Sequence, residues 1–470
     1  MTLQTPSSFA ATRAIRRGLA AVGLLTLAAC SSLPTIVPDM ARSPGPVQLE
    51  GANGPLSRER SKSILAKLAA SGQATSIFDR HLALEGAIGS SPLVAGNTVV
   101  LLQDGPSTYK AMFAAIDAAR DHIDMETYIL EDDDVGKKFA ATLIAKQQAG
   151  VQVNLIHDSV GTLGTPKAFF QALIDAGVKV LEFNPINPLT AKAGWDVNQR
   201  DHRKLLVVDG KIAILGGINI SSVYSGGSAS QHTEKRPASG LPWRDTDLQI
   251  TGPVVAEFQK LFMQTWEKQK GEPLPPRNYF PPLASTGGKS VVRAIGSSPD
   301  EPYSLIYATL ISALRSAETE ILLTNAYFVP DPQLIAALEG AVARGVDVKL
   351  ILPSRTDSWL VFSAGRAHYD QLLRGGVKIF ERQEALLHAK TAVIDGVWST
   401  VGSTNLDWRS FLHNQEINAV VLGGDFGDEM RAAFKKDLAN SKPVTLEEWE
   451  RRPVDMRLKE ALARMWEYWL

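Results

Sequence analysis

The sequence HRKLLVVDG at residues 202–210, followed by GGIN at residues 216–219, contains the pattern on which the fold prediction depends. The same pattern recurs as HAKTAVIDG at residues 388–396, followed by GSTN at residues 402–405. In both copies the asparagine follows the histidine by 17 positions. Two matching copies of this length and spacing indicate an internal duplication of the chain.

Each copy has the pattern of a β-hairpin. An apolar run follows His-x-Lys, and Asp-Gly is a strong signal for a two-residue hairpin turn. A histidine and a lysine two positions apart on a strand point to the same face. With the turn placed at Asp-Gly, the predicted register sets His202 opposite Gly217. It sets His388 opposite Ser403, so a small residue lies beneath each imidazole and leaves room for a ligand.

The polar residues of the two copies describe a phosphate site. Lysine and asparagine can donate hydrogen bonds to non-bridging phosphate oxygens, where negative charge must be stabilised. One imidazole can attack phosphorus while the other protonates the leaving oxygen, because the pKa of histidine lies near neutral pH. The candidate residues are His202, Lys204, Gly217, Asn219, His388, Lys390, Ser403 and Asn405. Asp209 and Asp395 complete the two catalytic motifs but fall in the turns, so we expect a structural or orienting role for them.

The duplication extends beyond the motifs and predicts the fold class. Residues 123–130 resemble residues 321–328, and a Gly-Val-x-Val segment follows a helical pattern at both 150–153 and 345–348. Each of these glycines stands where a helix is expected to end. Strands that alternate with helices predict an α/β fold of two similar lobes, each a mixed β-sheet flanked by helices. We expect the lobes to be related by a pseudo-two-fold axis, with the active site at their interface.

The distribution of proline and glycine predicts the domain boundaries. Residues 271–289 are rich in both and indicate a linker. The N-terminal lobe is therefore predicted at 55–270 and the C-terminal lobe at 290–470. Two segments keep alternative interpretations: residues 225–241 as a lid or a surface loop, and the aromatic-rich stretch 449–470 as a packed tail or a membrane-contacting one.

Composition excludes several classes of protein. The 470 residues carry a formal net charge of −1, which gives no electrostatic case for a dedicated nucleic-acid binder. The single cysteine excludes a disulfide framework within one chain and a cysteine-rich zinc site. The histidines outside the two motifs lack ligand spacing. We therefore assign no metal and no cofactor.

The N-terminal segment has the features of a secretory signal. Three arginines precede an apolar run that ends in LAAC at residues 27–30, which resembles the bacterial lipobox. This predicts a signal peptide at 1–29, lipid attachment at Cys30 and a flexible tether at 30–54. The expected location is the bacterial cell envelope, lipid-anchored and facing the periplasm, and Ser31 favours the outer membrane. The alternative is an ordinary signal peptide or signal anchor with an incidental cysteine.

The paired motifs are the signature of the phospholipase D superfamily, and the chain from about residue 95 resembles the bacterial cardiolipin synthases within it. The resemblance includes NQRDHRKLLVVDG at 198–210, WRDTD at 243–247 and NLDWRSF at 405–411. Many of those synthases begin with transmembrane helices, whereas this chain begins with a lipoprotein-like signal.

The resemblance implies a metal-independent reaction through a phosphohistidine intermediate. By the same resemblance, Asp245 and Glu416 hold the histidines by hydrogen bonds. His202 is the implied nucleophile, and His388 is the implied general acid and then base.

The activity implied is a phosphatidyltransferase that converts phosphatidylglycerol to cardiolipin and glycerol. The expected partners are phospholipid substrates and a membrane surface, with no nucleic acid, and the oligomeric state is open. If water resolves the intermediate, the enzyme is a phospholipase D. A nuclease of the same superfamily and a non-enzymatic lipid-binding lipoprotein are the remaining alternatives.

Overall fold

The computed structural model describes residues 33, 47–70, 77–82, 91–187, 195–226, 241–282 and 287–470. Cys30, the predicted signal peptide, most of the predicted tether and most of segment 225–241 lie outside these residues. Among the described helices, none is long and apolar enough to cross a membrane.

The first half of the chain forms a mixed sheet. The strands of this half of the chain are β1 (Glu50–Gly51), β2 (Gly54–Pro55), β3 (Val94–Leu102), β4 (His122–Thr127), β5 (Gln152–Asp158), β6 (Lys179–Phe183), β7 (Arg200–Asp201), β8 (Leu205–Val208), β9 (Ile212–Gly216), β10 (Trp243–Arg244) and β11 (Asp247–Thr251). Seven of these strands lie in the order β6-β5-β4-β8-β9-β11-β3. The neighbours among β4, β5 and β6 are parallel, and the other neighbours are antiparallel.

The second half repeats this topology. Its strands are β12 (Ser290–Ser297), β13 (Glu320–Asn325), β14 (Asp347–Pro353), β15 (Lys378–Arg382), β16 (Leu386–Leu387), β17 (Lys390–Ile394), β18 (Trp398–Gly402), β19 (Asn414–Leu422) and β20 (Ser441–Val444). They lie in the order β20-β15-β14-β13-β17-β18-β19-β12. Apart from the added edge strand β20, this is the order of the first sheet. The predicted α/β fold of two similar lobes is confirmed.

Helices flank both sheets. They are α1 (Arg58–Ala70), α2 (Gly105–Ala118), α3 (Asp134–Gln148), α4 (Lys167–Asp175), α5 (Val255–Lys268), α6 (Leu305–Ser316), α7 (Pro332–Ala343), α8 (Trp359–Arg366), α9 (Tyr369–Arg374), α10 (Trp408–Leu412), α11 (Gly424–Leu438), α12 (Leu446–Glu450) and α13 (Val454–Arg464). Gly150 and Gly345 follow α3 and α7 with φ of 89° and 90°. Only glycine adopts this conformation without strain, so the predicted helix ends are confirmed at both positions.

The two lobes share a hydrophobic core. Strand β3 pairs with β12 across the junction of the halves. Leu205 and Val207 of β8 belong to a buried cluster that also contains Ala389 and Ile417 of the second half. The intervening Leu206 and Val208 belong to a cluster with α2 and α3 of the first lobe. Burial on both faces explains why β8 is a continuous apolar run without polar alternation.

The predicted hairpin turns are present, but the predicted register is wrong by one residue. Asp209 and Gly210 have φ of 52° and 61°, and the N–H of Lys211 donates to the carbonyl of Val208 at 2.9 Å. However, Val208 pairs with Ile212 because Lys211 is an additional loop residue. The second hairpin has the same shift. One extra residue moves every later side chain of the return strand by one position.

The carboxylates of the turn aspartates hold the backbone at the start of a neighbouring strand. Asp209 accepts hydrogen bonds from the N–H groups of Arg120, Asp121 and His122, at 2.8–3.2 Å. Asp395 accepts the equivalent bonds from residues 318–320. These contacts fit the structural role that we expected for both residues.

Replacing Asp209 by alanine should therefore lower stability more than activity. The substitution removes the acceptor of three N–H groups. It also places alanine, whose side chain cannot form a hydrogen bond, at a position with positive φ. We expect a loss of about 2 to 3 kcal/mol in the free energy of unfolding. Urea denaturation measures this loss, and Asp209→Asn should lose less because asparagine keeps one acceptor and tolerates this backbone conformation. Lost turnover at unchanged stability would contradict a structural role.

Residue His81 and the C-terminal helix both contact the second lobe. The Nε2 of His81 lies 3.1 Å from Oδ2 of Asp395, although the predicted boundaries assign His81 to the N-terminal lobe. Helix α13 packs against α8. The backbone carbonyl of Leu470 accepts a hydrogen bond from the N–H of Arg409 at 2.8 Å. The C-terminal tail is therefore packed along one side, as one of the two alternatives predicted.

Candidate active site

Short strands from the two halves pair with each other at the interface of the lobes and position the two motif histidines. Strand β7 runs parallel to the start of β19, and the N–H of His202 donates to the carbonyl of Gln415 at 3.0 Å. Strand β10 runs parallel to β16, and the N–H of His388 donates to the carbonyl of Arg244 at 2.8 Å. Each histidine is thus fixed by backbone that comes from the other half of the chain.

Each histidine side chain is likewise bound by a carboxylate from the other half of the chain. Glu416 lies with its two carboxylate oxygens 3.0 and 3.1 Å from Nδ1 of His202. Asp245 lies with Oδ2 2.6 Å from Nδ1 of His388. A carboxylate can only accept, so Nδ1 of each ring carries the proton and donates it. The Nε2 of each neutral imidazole is left with a free lone pair.

A cavity of about 430 Å³ lies at this interface. Four of the predicted residues line it: His202, Asn219, His388 and Asn405. Lys204 and Lys390 are buried beside it, and each donates from Nζ to the backbone carbonyl of the histidine in its own motif. The structure therefore brings the two histidines, two lysines and two asparagines together.

Burial sets the protonation of the two histidines. It lowers the pKa of His202 to about 4, although the Glu416 carboxylate opposes the shift. Burial and the Lys390 ammonium also lower the pKa of His388, against the effect of Asp245. A group with a lowered pKa releases its proton at lower pH than usual. Both imidazoles are therefore neutral at neutral pH in the unliganded protein.

Burial also lowers the pKa of the two motif lysines. Burial lowers the pKa of Lys204 to about 7 and that of Lys390 to about 8, while nearby carboxylates oppose both shifts. Although burial alone would raise it, the pKa of Glu416 is lowered by His202 and Lys204. Charges from both motifs thus act on one another within a single cluster.

The two asparagines are in different environments. Asn219 accepts from the N–H of Ile129 and donates from Nδ2 to the hydroxyl of Tyr224, both at 3.1 Å. Asn405 keeps a buried Oδ1 that has no hydrogen-bond partner among the described residues. The site is therefore not symmetric, despite the matching sequence motifs.

The two small residues lie beside the acids. A Cβ on Gly217 would lie 2.2 Å from Oδ1 of Asp245, so the space at this glycine is filled by that carboxylate. The hydroxyl of Ser403 donates to Oε2 of Glu416 at 2.5 Å. The predicted open space beneath each imidazole was wrong, because it was derived from the incorrect register. In the structure, Gly217 leaves room for Asp245 and Ser403 donates a hydrogen bond to Glu416, the two acids that hold the histidines.

Several aromatic and basic residues of the cavity were not predicted as site residues. The ring of Tyr128 lies 5.1 Å from that of His202, and the rings of Tyr224 and Trp243 lie 5.8 and 5.1 Å from that of His388. Arg200 and Arg409 also line the cavity. Tyr128 lies within the repeated segment 123–130, and Tyr327 of the cavity lies within its counterpart 321–328, so the repeat was the signal available for these two. Among the described residues, no group of three or more His, Cys, Asp or Glu side chains could hold a metal ion.

Comparison with known proteins identifies the family. A family model described as cardiolipin synthase, PLD-like domain, matches residues 112–227 and 310–438. The cardiolipin synthase of Geobacillus sp. (strain WCH70) is 35% identical over 386 residues, which cover 82% of this chain and 74% of that protein. Cardiolipin synthase A of Pseudomonas entomophila (strain L48) is 36% identical over 365 residues, which cover 77% and 72%.

A solved structure supports the fold. The phosphatidylserine synthase of Haemophilus influenzae Rd KW20 superimposes with a TM-score of 0.60 at 13% identity, covering 83% of this chain and 100% of that one. At this identity the similarity concerns the two-lobed architecture alone. The two matched PLD-like segments and the relatives above show that the chain belongs to the cardiolipin synthase family and is an enzyme of the phosphatidyltransferase type within the phospholipase D superfamily.

Proposed function

We propose that this enzyme transfers a phosphatidyl group from one phosphatidylglycerol to another, forming cardiolipin and glycerol through a phosphohistidine intermediate. The observation that carries the mechanism is the pair of imidazoles at one cavity, each with Nδ1 held by a carboxylate from the opposite half. Such a pair supplies a nucleophile and a proton donor at one phosphodiester.

In the first step, Nε2 of His202 attacks phosphorus and the bond to the glycerol head group breaks. The Nε2–H of His388, protonated in the substrate complex, gives its proton to the leaving oxygen. Asp245 approaches His388 more closely than Glu416 approaches His202, at 2.6 against 3.0 Å. A closer carboxylate stabilises an imidazolium more strongly, which supports His388 as the acid. His202, with a pKa of about 4, is the neutral nucleophile.

In the second step, a glycerol hydroxyl of a second phosphatidylglycerol attacks phosphorus. His388 now takes the proton of that hydroxyl, the phosphorus–nitrogen bond breaks and His202 returns to its neutral form. The positive charges of Lys204 and Lys390 lie within the same cluster and would stabilise the charge on the non-bridging oxygens. Asn219 and Asn405, which line the cavity, are proposed to bind the phosphate.

The test of this function is product analysis with labelled phosphatidylglycerol. Cardiolipin and free glycerol should appear in equal amounts, and turnover should persist in the presence of a chelator. Phosphatidic acid as the only lipid product would instead make the enzyme a phospholipase D and overturn the transferase proposal.

The buried lysines predict how activity falls at alkaline pH. As pH rises through about 7 and about 8, Lys204 and Lys390 lose the positive charges that attract an anionic phosphodiester. We therefore expect kcat/KM to decrease with rising pH over this range, with apparent pKa values that belong to the pair. Bound phosphodiester stabilises the ammonium forms, so the corresponding decrease in kcat should occur at higher pH.

The matched control for this pH profile is Lys204→Arg. A guanidinium keeps its charge at every pH of the assay. The variant should be less active overall, but its kcat/KM should decrease at higher pH than that of the wild type. An unchanged alkaline limb would exclude Lys204 as the titrating group.

We also propose that the enzyme is anchored to the bacterial cell envelope through lipid on Cys30 and faces the periplasm. The sequence LAAC at residues 27–30 supports this proposal. Mass spectrometry of the mature N-terminus should find an acylated Cys30. Cleavage elsewhere, or an unmodified cysteine, would contradict it.

A further inference from the structure

The C-terminal helix presents apolar side chains to solvent. Seven of the sixteen exposed large hydrophobic residues found among the described residues lie between Val454 and Trp469. Isolated exposed apolar residues are common on protein surfaces, but a cluster of this kind marks a contact surface. We call the set Val454, Leu458, Leu462, Met465 and Trp466, which are 54–78% exposed, the apolar stripe.

The spacing places the stripe on one face of α13. Val454, Leu458, Leu462 and Met465 follow one another at intervals of four, four and three residues, which brings them onto one side of a helix. The opposite side is the one packed on the lobe, where Glu460 and Ala463 are buried. The helix is therefore attached through its polar and small residues, and its apolar face is left on the outside.

The stripe is continuous with the active-site cavity. The chain continues from α13 through Trp466 into a short 3₁₀ turn at Glu467–Trp469. Trp469 and the terminal Leu470 line the same cavity as His202 and His388. Trp359, which is 68% exposed, begins the helix on which α13 packs. One edge of the cavity mouth is thus bordered by an exposed apolar surface.

We propose that the apolar stripe docks on the lipid bilayer that holds the substrate, so that the cavity mouth opens onto the membrane surface. The inference rests on the proposed lipid substrate, whose acyl chains need an apolar path between bilayer and cavity. An amphipathic helix with tryptophan, leucine and methionine on its exposed face binds at the membrane interface. Lys459 and Arg464 of the same helix have exposed side chains that pair with the carboxylates of Asp455 and Glu467, so the apolar side chains and not net charge supply the attraction to the bilayer. A second protein copy seated on the stripe would cover this edge of the mouth, which favours the bilayer as the occupant.

The test compares two physical forms of one substrate. The full chain carrying both Leu458→Ser and Leu462→Ser is assayed on vesicles of phosphatidylglycerol and phosphatidylethanolamine. It is also assayed on short-chain phosphatidylglycerol kept below its micelle concentration. We expect activity on vesicles to fall about tenfold, with activity on monomers unchanged, because only the vesicle reaction needs docking. The control Ile174→Ser removes another exposed apolar side chain, near the end of α4 and outside the stripe, and should change neither rate.

The outcomes separate this inference from the proposed function. Equal loss on both substrates, or no loss on vesicles, overturns the docking surface. Equal loss accompanied by a smaller molecular mass in analytical ultracentrifugation would identify the stripe as a contact between copies and would also overturn it. If the wild-type enzyme makes cardiolipin from neither substrate, the proposed function fails before the stripe is tested.

Discussion

Replacing His202 by alanine should lower the rate of cardiolipin formation by about 10,000-fold or more, as expected when a covalent nucleophile is removed. The imidazole lies at the cavity with Nδ1 bonded to Glu416, so Nε2 is the nitrogen left to attack phosphorus in the proposed mechanism. Alanine has no atom that can form the intermediate. After an alkaline quench, which preserves phosphohistidine, labelled phosphatidylglycerol should leave label on the wild-type protein and none on the variant.

The matched control is His388→Asn, assayed with a phosphodiester whose leaving group is p-nitrophenolate. This leaving group departs without a proton, so the first step no longer needs an acid. His388→Asn should therefore still release a burst of p-nitrophenolate as the intermediate forms, and His202→Ala should release none. The reverse result would make His388 the nucleophile.

Much of this site could be predicted from sequence because the decisive signals are local. The His-x-Lys spacing puts both side chains of each motif in the short segment that leads into β8 or β17, although His202, Lys204 and His388 lie just outside the strands. The Asp-Gly turns at 209–210 and 395–396 are fixed by the backbone preferences of those two residues. The duplication predicted where the two motifs meet, since two lobes of one topology bring their half-sites together at a common interface.

The remainder depended on contacts between distant residues. One additional loop residue, Lys211, changed the register, and no local preference separates a two-residue turn from a turn with a bulge at this point. The resemblance implied that Asp245 and Glu416 hold the histidines without saying which acid meets which ring. That choice is made by the pairing of β7 with β19 and of β10 with β16, each across the two halves.

This exchange leads to the second large expected effect. Glu416→Gln should lower turnover by about 1,000- to 10,000-fold, because an amide can present a donor to Nδ1 and no longer stabilises a positively charged imidazole. Ser403 and Asn414 both donate hydrogen bonds to Glu416. The NH₂ group of a glutamine cannot accept a hydrogen bond, so the variant would also lose one of these two contacts. The loss should affect formation of the intermediate itself, since Glu416 holds the proposed nucleophile, His202.

The matched variant is Asp245→Asn, which alters the other histidine. With phosphatidylglycerol it should also be severely impaired, because His388 then lacks its carboxylate. With the p-nitrophenyl substrate, Asp245→Asn should keep the burst and Glu416→Gln should lose it. If each acid instead served the histidine of its own half, Asp245→Asn would be the variant without a burst. The two first-step rates therefore measure the exchange between halves directly, independently of which products the enzyme releases.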